Sequence, residues 1–248
     1  MKHWSKLLLG LCLSWLAACA LADDKTVTLT SLEWPPYTGR SLQDQGASVA
    51  VAKAAFKAMG YTLKVEFYPW SRAVDMAKND PRVGGYFPEY YSDDVNKGFH
   101  LSAPMGSGPL GLAQRKGDNH SWNSVADLAK TKIGVVQDYV NTAELDGRIA
   151  KKQQLADVAI DDTKNLLKLA AGHIDLAVVD KNVFNYLMKT DPALKPYNGK
   201  LEMNGKLLED KKLYICFKRT AEGEKLKQIF DEGLKKINVT AIMGQYLK

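Results

Sequence analysis

The spacing of hydrophobic positions switches between two periods along the chain. Residues 27–32 read as a strand, stopped by Trp34-Pro35-Pro36. Val49, Ala52, Phe56 and Met59 recur at helical spacing, and Gly60 follows as a stop. Leu63, Val65 and Phe67 then alternate with Thr62, Lys64 and Glu66, the pattern of a half-buried strand. Pro69 ends it, residues 70–78 can form a short helix broken by Asn79-Asp80-Pro81, and 83–87 is a short strand.

The order then recurs. Strands are predicted over 110–114, 132–136 and 174–179, with a helical turn at 125–128 and helices over 163–171 and 181–189. A last clear strand at 214–217 precedes an amphipathic helix over 222–237. Strands alternating with helices predict α/β layers with largely parallel sheets. Two such sheets fit 248 residues. Open parallel sheets bind ligands beyond the carboxyl ends of their strands, and two lobes facing each other make one cleft. The flexible stretch Met105-Gly106-Ser107-Gly108-Pro109 is the expected first crossover, and the polar segment 208–212 the expected return. This gives lobe 1 as 23–107 completed by 211–248, and lobe 2 as 108–210.

Residues 1–22 carry a different pattern. Lys2 and Lys6 precede an apolar run over 7–16, too short to span a bilayer and suited to a signal-peptide core. Ala20-Leu21-Ala22 before Asp23-Asp24 fits a signal-peptidase site, and Leu16-Ala17-Ala18-Cys19 fits a bacterial lipobox. A strand starting near Thr26 leaves almost no tether after Cys19, which favours a free periplasmic protein over a lipoprotein anchored through Cys19. Cleavage would remove two lysines and no acids, taking the formal charge from +6 to about +4.

Composition excludes several classes. Hydrophobic residues at 46% and charged residues at 25% are those of a globular chain, not a disordered one. The three cysteines cannot build a disulfide scaffold; with Cys12 and Cys19 in the leader, Cys216 is a single thiol inside an apolar strand pattern. Four scattered histidines make no zinc pattern, and the dispersed basic residues match no nucleic-acid motif. No Ser-His-Asp order, H-E-x-x-H, phosphate loop or dinucleotide fingerprint occurs, so no cofactor is expected.

Several segments in order resemble one family. They are Glu33-Trp34-Pro35-Pro36-Tyr37, Tyr68-Pro69-Trp70-Ser71-Arg72-Ala73, Leu101-Ser102-Ala103-Pro104, the stretch 124–135 (SVADLAKTKIGV), the stretch 169–180 (LAAGHIDLAVVD) and Ile242-Met243-Gly244-Gln245-Tyr246. Together they are similar to the bacterial extracellular solute-binding proteins of family 3, the periplasmic receptors of polar amino acid ABC importers. The resemblance implies a type II periplasmic-binding-protein fold, with two mostly parallel sheets, flanking helices, a hinge and an interlobe cleft. It also implies a monomer that closes on a small-molecule ligand and delivers it to an inner-membrane permease.

Candidate ligand-binding residues follow. The resemblance places Trp34 against the ligand, where a flat ring covers much surface at low entropy cost; packing on Pro35-Pro36 is the alternative. Glu33 can accept from a ligand amine or face water, and Tyr37 can belong to the cleft or to the core. Asp180 ends an apolar strand where a parallel sheet opens, and in relatives the matching acid holds the ligand ammonium; capping the helix that starts at Lys181 is compatible with that role. Asn141 and Thr142 lie at a turn and helix start that relatives use to bind a carboxylate, with helix capping as the alternative. Asp138, in the same turn, stands where a small residue is usual.

One departure bears on the ligand. Amino-acid-binding members carry a Thr-x-x-Arg motif whose arginine clamps the α-carboxylate, whereas the corresponding stretch here, Tyr90-Tyr91-Ser92-Asp93-Asp94-Val95, has no arginine. Arg72 is the candidate replacement, with a surface pairing to Asp75 or Glu66 as the alternative. Tyr86, Phe87, Glu89, Tyr90 and Tyr91 supply an aromatic and acidic rim, which suits a cationic, aromatic or sugar-like ligand as well as an amino acid. Periplasmic cyclohexadienyl dehydratases share this fold, and Glu33, Glu89 and Asp180 are possible acids, but their substrates carry carboxylates. A binding protein, not an enzyme, is therefore expected, with a receptor feeding a chemoreceptor or sensor kinase as the other alternative.

Overall fold

The computed structural model describes residues 25–247; the expected signal segment 1–22, including Cys19, lies outside the described residues. The chain opens with β1 (Thr26–Ser31), α1 (Ala47–Ala58), β2 (Thr62–Phe67), α2 (Trp70–Asn79) and β3 (Gly85–Tyr90). These strands form a parallel array in the order β2-β1-β3. After α3 (Asp93–Gly98) and β4 (Phe99–Leu101), β5 (Gly106–Arg115) leads to a second set. It comprises β6 (Ile133–Val136), α4 (Ala143–Ala150), β7 (Ala156–Ala159), α5 (Asp162–Ala170), β8 (Leu176–Asp180) and α6 (Lys181–Thr190). Its strands are again parallel, in the order β8-β6-β7. Each array therefore places its first strand centrally and its second at the outer edge.

The chain returns through β9 (Leu201–Lys218) and finishes with α7 (Ala221–Leu234) and α8 (Val239–Tyr246). The sequence pattern marks only 214–217 as this strand, because its first two-thirds is largely exposed and polar. That polar stretch pairs antiparallel with β5, whose other edge pairs antiparallel with β8. The far end of β9 pairs antiparallel with β3 and β4. The two expected parallel sheets are thus present but joined edge to edge through β5 and β9. The two expected crossovers lie side by side, with Ser107 opposite Lys212 and Pro109 opposite Asp210.

Helices cover both arrays. α1 turns Val49, Ala52, Ala55 and Phe56 inward, all fully buried. Phe56 meets Phe230 of α7 and Phe217 of β9 at ring-centroid distances of 5.3 and 6.4 Å. Burying each such ring contributes about 1.5–3 kcal/mol, so these rings hold the carboxyl-terminal helix on the first array. Two buried polar groups tie helices to strands. Thr30 Oγ1 donates to the Ala73 carbonyl of α2 at 2.7 Å. Asn165 of α5 donates to the Gly134 and Val178 carbonyls of β6 and β8 at 3.2 and 3.1 Å. Cys216 is buried, and desolvation holds its thiol far above the ordinary value, so it behaves as core. No helix among the described residues is long and apolar enough to cross a membrane.

Candidate functional site

The carboxyl ends of six parallel strands supply one group of residues. β1 leads into Trp34 and Tyr37; β2 leads into Trp70, the first residue of α2; β3 carries Glu89 and Tyr90. From the second array, β6 leads into Asp138 and Tyr139, β7 into Asp162 at the start of α5, and β8 ends on Asp180. Trp34, Trp70, Glu89, Tyr90 and Tyr139 line a cavity together with Leu32, Pro88, Val140 and Leu213. Its volume is about 30 Å³, room for roughly two water molecules.

The turn after β1 is tightly specified. Trp34 and Thr38 bridge, Tyr37 N–H donates to the Trp34 carbonyl at 3.0 Å, and Thr38 Oγ1 donates to the Leu32 carbonyl at 2.8 Å. This fold-back stacks Tyr37 on Trp34, with centroids 4.6 Å apart and planes at 22°. Tyr90 meets Trp34 edge-on at 6.0 Å. Trp70 in turn meets Tyr86 and Tyr139 edge-on at 5.3 and 6.0 Å.

The two arrays touch here through polar groups. Tyr37 Oη donates to Asp180 Oδ2 at 3.1 Å and accepts from Asn182 Nδ2 at 2.7 Å. Tyr90 Oη donates to Asp180 Oδ2 at 3.4 Å. Trp70 Nε1 donates to the Asp138 carbonyl at 3.0 Å, and the Ser71 hydroxyl donates to the Asp138 carboxylate. Asp180 also caps α6, accepting from the backbone N–H of Asn182 at 2.7 Å and of Val183 at 3.2 Å. Gly108 of β5 makes this meeting possible: a Cβ there would overlap Asp180 Oδ2 and the Tyr37 hydroxyl.

Three buried carboxyls dominate the electrostatics. Burial raises Glu89 to about 8, against the lowering pull of the Tyr90 N–H, the Tyr86 hydroxyl and Lys211. Burial, then the neighbouring Asp180 and Asp161 charges, raises Asp162 to about 7. Burial raises Asp180 to about 6 despite its hydrogen bonds. Each is over nine-tenths removed from water. Lys211 is the cation nearest them; its Nζ lies 5.4 Å from the Tyr90 ring centroid and 3.5 Å from Glu209. Among the described residues, no group of three His, Cys, Asp or Glu side chains is placed to hold a metal ion.

Of the residues expected from sequence, Trp34, Tyr37, Tyr90 and Asp180 come together. Glu33 does not join them: it is exposed, accepts from the Arg40 backbone N–H at 3.2 Å and pairs with the Arg40 guanidinium at 3.7 Å. Arg72 does not face the cavity either. It is exposed on the first turn of α2, with its guanidinium 5.3 Å from the Tyr68 ring centroid. Asn141 and Thr142 make local contacts: Asn141 donates through Nδ2 to Asp146 at 2.7 Å, and Thr142 caps α4 by accepting from the Leu145 N–H at 3.2 Å. Trp70, Tyr139, Asp162 and Asn182 are members that the residue-level reading passes over. Asp162 follows a four-residue strand, ADVA, too short and polar to announce itself.

Comparison with solved structures identifies the architecture. A histidine kinase sensor domain with similarity to periplasmic binding proteins superposes with a TM-score of 0.75 at 20% identity, covering 89% of this chain and 95% of that one. An ancestral arginine-binding protein bound to arginine gives 0.73 at 16% identity, covering 90% and 98%. An amino acid ABC transporter substrate-binding protein from Streptococcus pneumoniae bound to L-arginine gives 0.70 at 16%, covering 90% and 93%. No protein-family model and no curated protein sequence matches the chain. The chain has the two-lobed periplasmic-binding-protein fold of the solute-binding proteins its sequence resembles, and the cavity lies between the lobes.

Proposed function

We propose that this protein is a periplasmic solute-binding protein that captures a small polar ligand between its lobes and delivers it to an ABC importer. Lobe 1 is 23–107 with 211–248, lobe 2 is 108–210, and the paired crossovers in β5 and β9 serve as the hinge. The observation that carries this reading is the convergence of strand ends from both arrays on one cavity, with Tyr37 and the cavity-lining Tyr90 of one array hydrogen-bonded to Asp180 of the other. Ligand contacts made by both lobes exist together only when the lobes meet, so ligand favours the closed population. The protein's own contacts across the cleft must give way for ligand to enter, and the ligand then takes over their partners. Trp34, Tyr37, Tyr90 and Asp180 are the ligand-binding residues in this account, and chemistry on the ligand is not part of it.

The second reading is a receptor domain that reports to a sensor kinase. Its support is the likeness to a histidine kinase sensor domain. Both readings use the same cleft and differ only in the partner.

A thermal-shift screen across a metabolite panel tests the binding function. One ligand class is expected to raise the melting temperature and to be recovered chemically unchanged. A ligand converted to product over time would contradict it. Ligand-dependent stimulation of a permease-ATPase reconstituted in vesicles then separates import from sensing.

A further inference from the structure

The binding reading leaves open what kind of solute fits, and the wall chemistry bears on that. All six arginines of the described chain are engaged away from the cavity. Arg40 serves Glu33 and the Phe67 carbonyl, Arg72 lies over Tyr68, and Arg82 pairs with Asp80. Arg115 holds the Leu169 and Ile174 carbonyls, Arg148 the Gln153 carbonyl, and Arg219 the Asn96 and Phe99 carbonyls. No guanidinium is therefore placed to clamp a ligand carboxylate. The helix start at 141–142 is closed to an anion too: Asp146 already accepts the Asn141 N–H at 2.9 Å, and Thr142 accepts the Leu145 N–H.

Glu89 lines the cavity, Asp180 is hydrogen-bonded to the lining Tyr90, and Asp162 is buried beside the lining Trp34 and Tyr139. Against these three carboxyls the one ammonium that acts is that of Lys211, on Glu89, and it already pairs with Glu209, so full ionisation leaves the acids in excess in a dry site. Buried charge without a partner is costly, and an incoming counter-charge relieves it. The rings of Trp34, Trp70, Tyr90 and Tyr139 line the cavity, and aromatic faces attract cations. The Trp34 indole N–H is buried beside Asp162, outside good hydrogen-bond geometry yet close enough to favour the ionised carboxylate. A cation that ionises Asp162 makes that carboxylate a stronger acceptor for it.

Building on the binding function proposed above, we infer that the ligand is a small organic cation bearing amine or guanidine N–H donors and no carboxylate, a diamine or guanidino-amine in class. Its N–H groups replace the Tyr37 and Tyr90 hydroxyls on Asp180 and reach Glu89 and Asp162, while its carbon stem lies against the rings. Binding ionises carboxyls that hold a proton beforehand, and those protons pass to the buffer. The groups facing them are known. Glu89 faces Tyr86, Lys211 and Cys216; Asp162 faces Asp161, Asp180 and Tyr139; Asp180 faces Tyr37, Tyr90 and the backbone N–H groups that start α6. Protons bound before the cation arrives are lost on binding, so affinity rises with pH through 6 to 8.

Calorimetric titration of the full mature chain tests this directly. The probes are 1,4-diaminobutane and agmatine, which is arginine lacking its carboxyl group, compared with arginine itself. Measurements at pH 7 in two buffers of different ionisation enthalpy give the proton count. Agmatine or the diamine is expected to bind at least tenfold tighter than arginine and to release protons, and Glu89→Gln, which keeps shape and removes charge, is expected to lose both. Arginine binding as tightly as agmatine, or proton uptake on binding, overturns the cation-only ligand while leaving a solute receptor intact. No binding of either amine also overturns it, and the wider metabolite panel then judges the receptor itself.

Discussion

In the proposed function Asp180 is both the cap of α6 and the ligand anchor, and substitution can separate the two. Asp180→Ala removes the α6 cap, costing about 1 kcal/mol of stability, and also removes the anchor. Asp180→Asn keeps an acceptor for the Asn182 and Val183 N–H groups, so it is expected to melt close to wild type. Ligand affinity should nonetheless fall at least tenfold, as read by titration. Unchanged affinity in the Asn variant would take Asp180 out of the site. The three raised carboxyls also set a pH dependence. Each binds its proton more tightly folded than unfolded. Their contribution to stability is therefore fully present below the unfolded value near 4 and is lost as pH rises through about 6, 7 and 8. The ligand-free melting temperature is expected to fall between pH 5 and 8.5, and Glu89→Gln to flatten that fall. Carboxyls held low, such as Asp80 and Asp157, act in the opposite direction, and mainly below pH 4.

Which residues gather around the cavity is only partly legible in the sequence. Asp180 is, because it ends an apolar run where a parallel sheet must open. Trp34 and Tyr37 are, because Pro35-Pro36 forces a turn at a strand end. Arg72 and Glu33 have suitable chemistry at a suitable point in the chain, but one residue of rotation on a helix or turn sends a side chain outward. Asp162 is silent because its partners Trp34 and Tyr139 both lie more than twenty residues earlier in the chain.

Elements were easier to read than their lengths. Parallel strands with covering helices announce themselves by apolar runs and stops, so β1, α1, β2 and β8 stand where the pattern predicts. β9 is missed over most of its length because its hydrogen bonds go to β5 while its side chains meet water, and periodicity reports burial, not pairing. Two element-level substitutions test whether β5 and α2 serve the cleft as proposed. Gly108→Ala drives a methyl group into Asp180 and Tyr37, so the lobes should stay further apart, with a larger radius of gyration by X-ray scattering and weakened binding. A scattering profile identical to wild type would show that β5 absorbs the methyl elsewhere. Trp70→Phe keeps a ring against Tyr86 and Tyr139 but removes the N–H to the Asp138 carbonyl. One such bond is worth about 1 kcal/mol, so ligand affinity should drop about fivefold; an unchanged affinity would mean that this bridge does not contribute to closure.

On the scale of the whole molecule, two arrays of like topology face each other and share a pair of connecting strands. That geometry concentrates strand ends, buried acids and aromatic rings at the one place where the lobes meet. In the proposed function ligand binding and shape change are the same event, because the groups assigned to the solute also join the lobes. The most direct test is native mass spectrometry of the purified mature chain after exposure to a total metabolite extract. One small adduct per chain is expected on the wild type, and none on a Trp34→Ala/Asp180→Ala double variant that still folds. A bare wild-type mass, or the same adduct on both proteins, would contradict a solute held between the lobes.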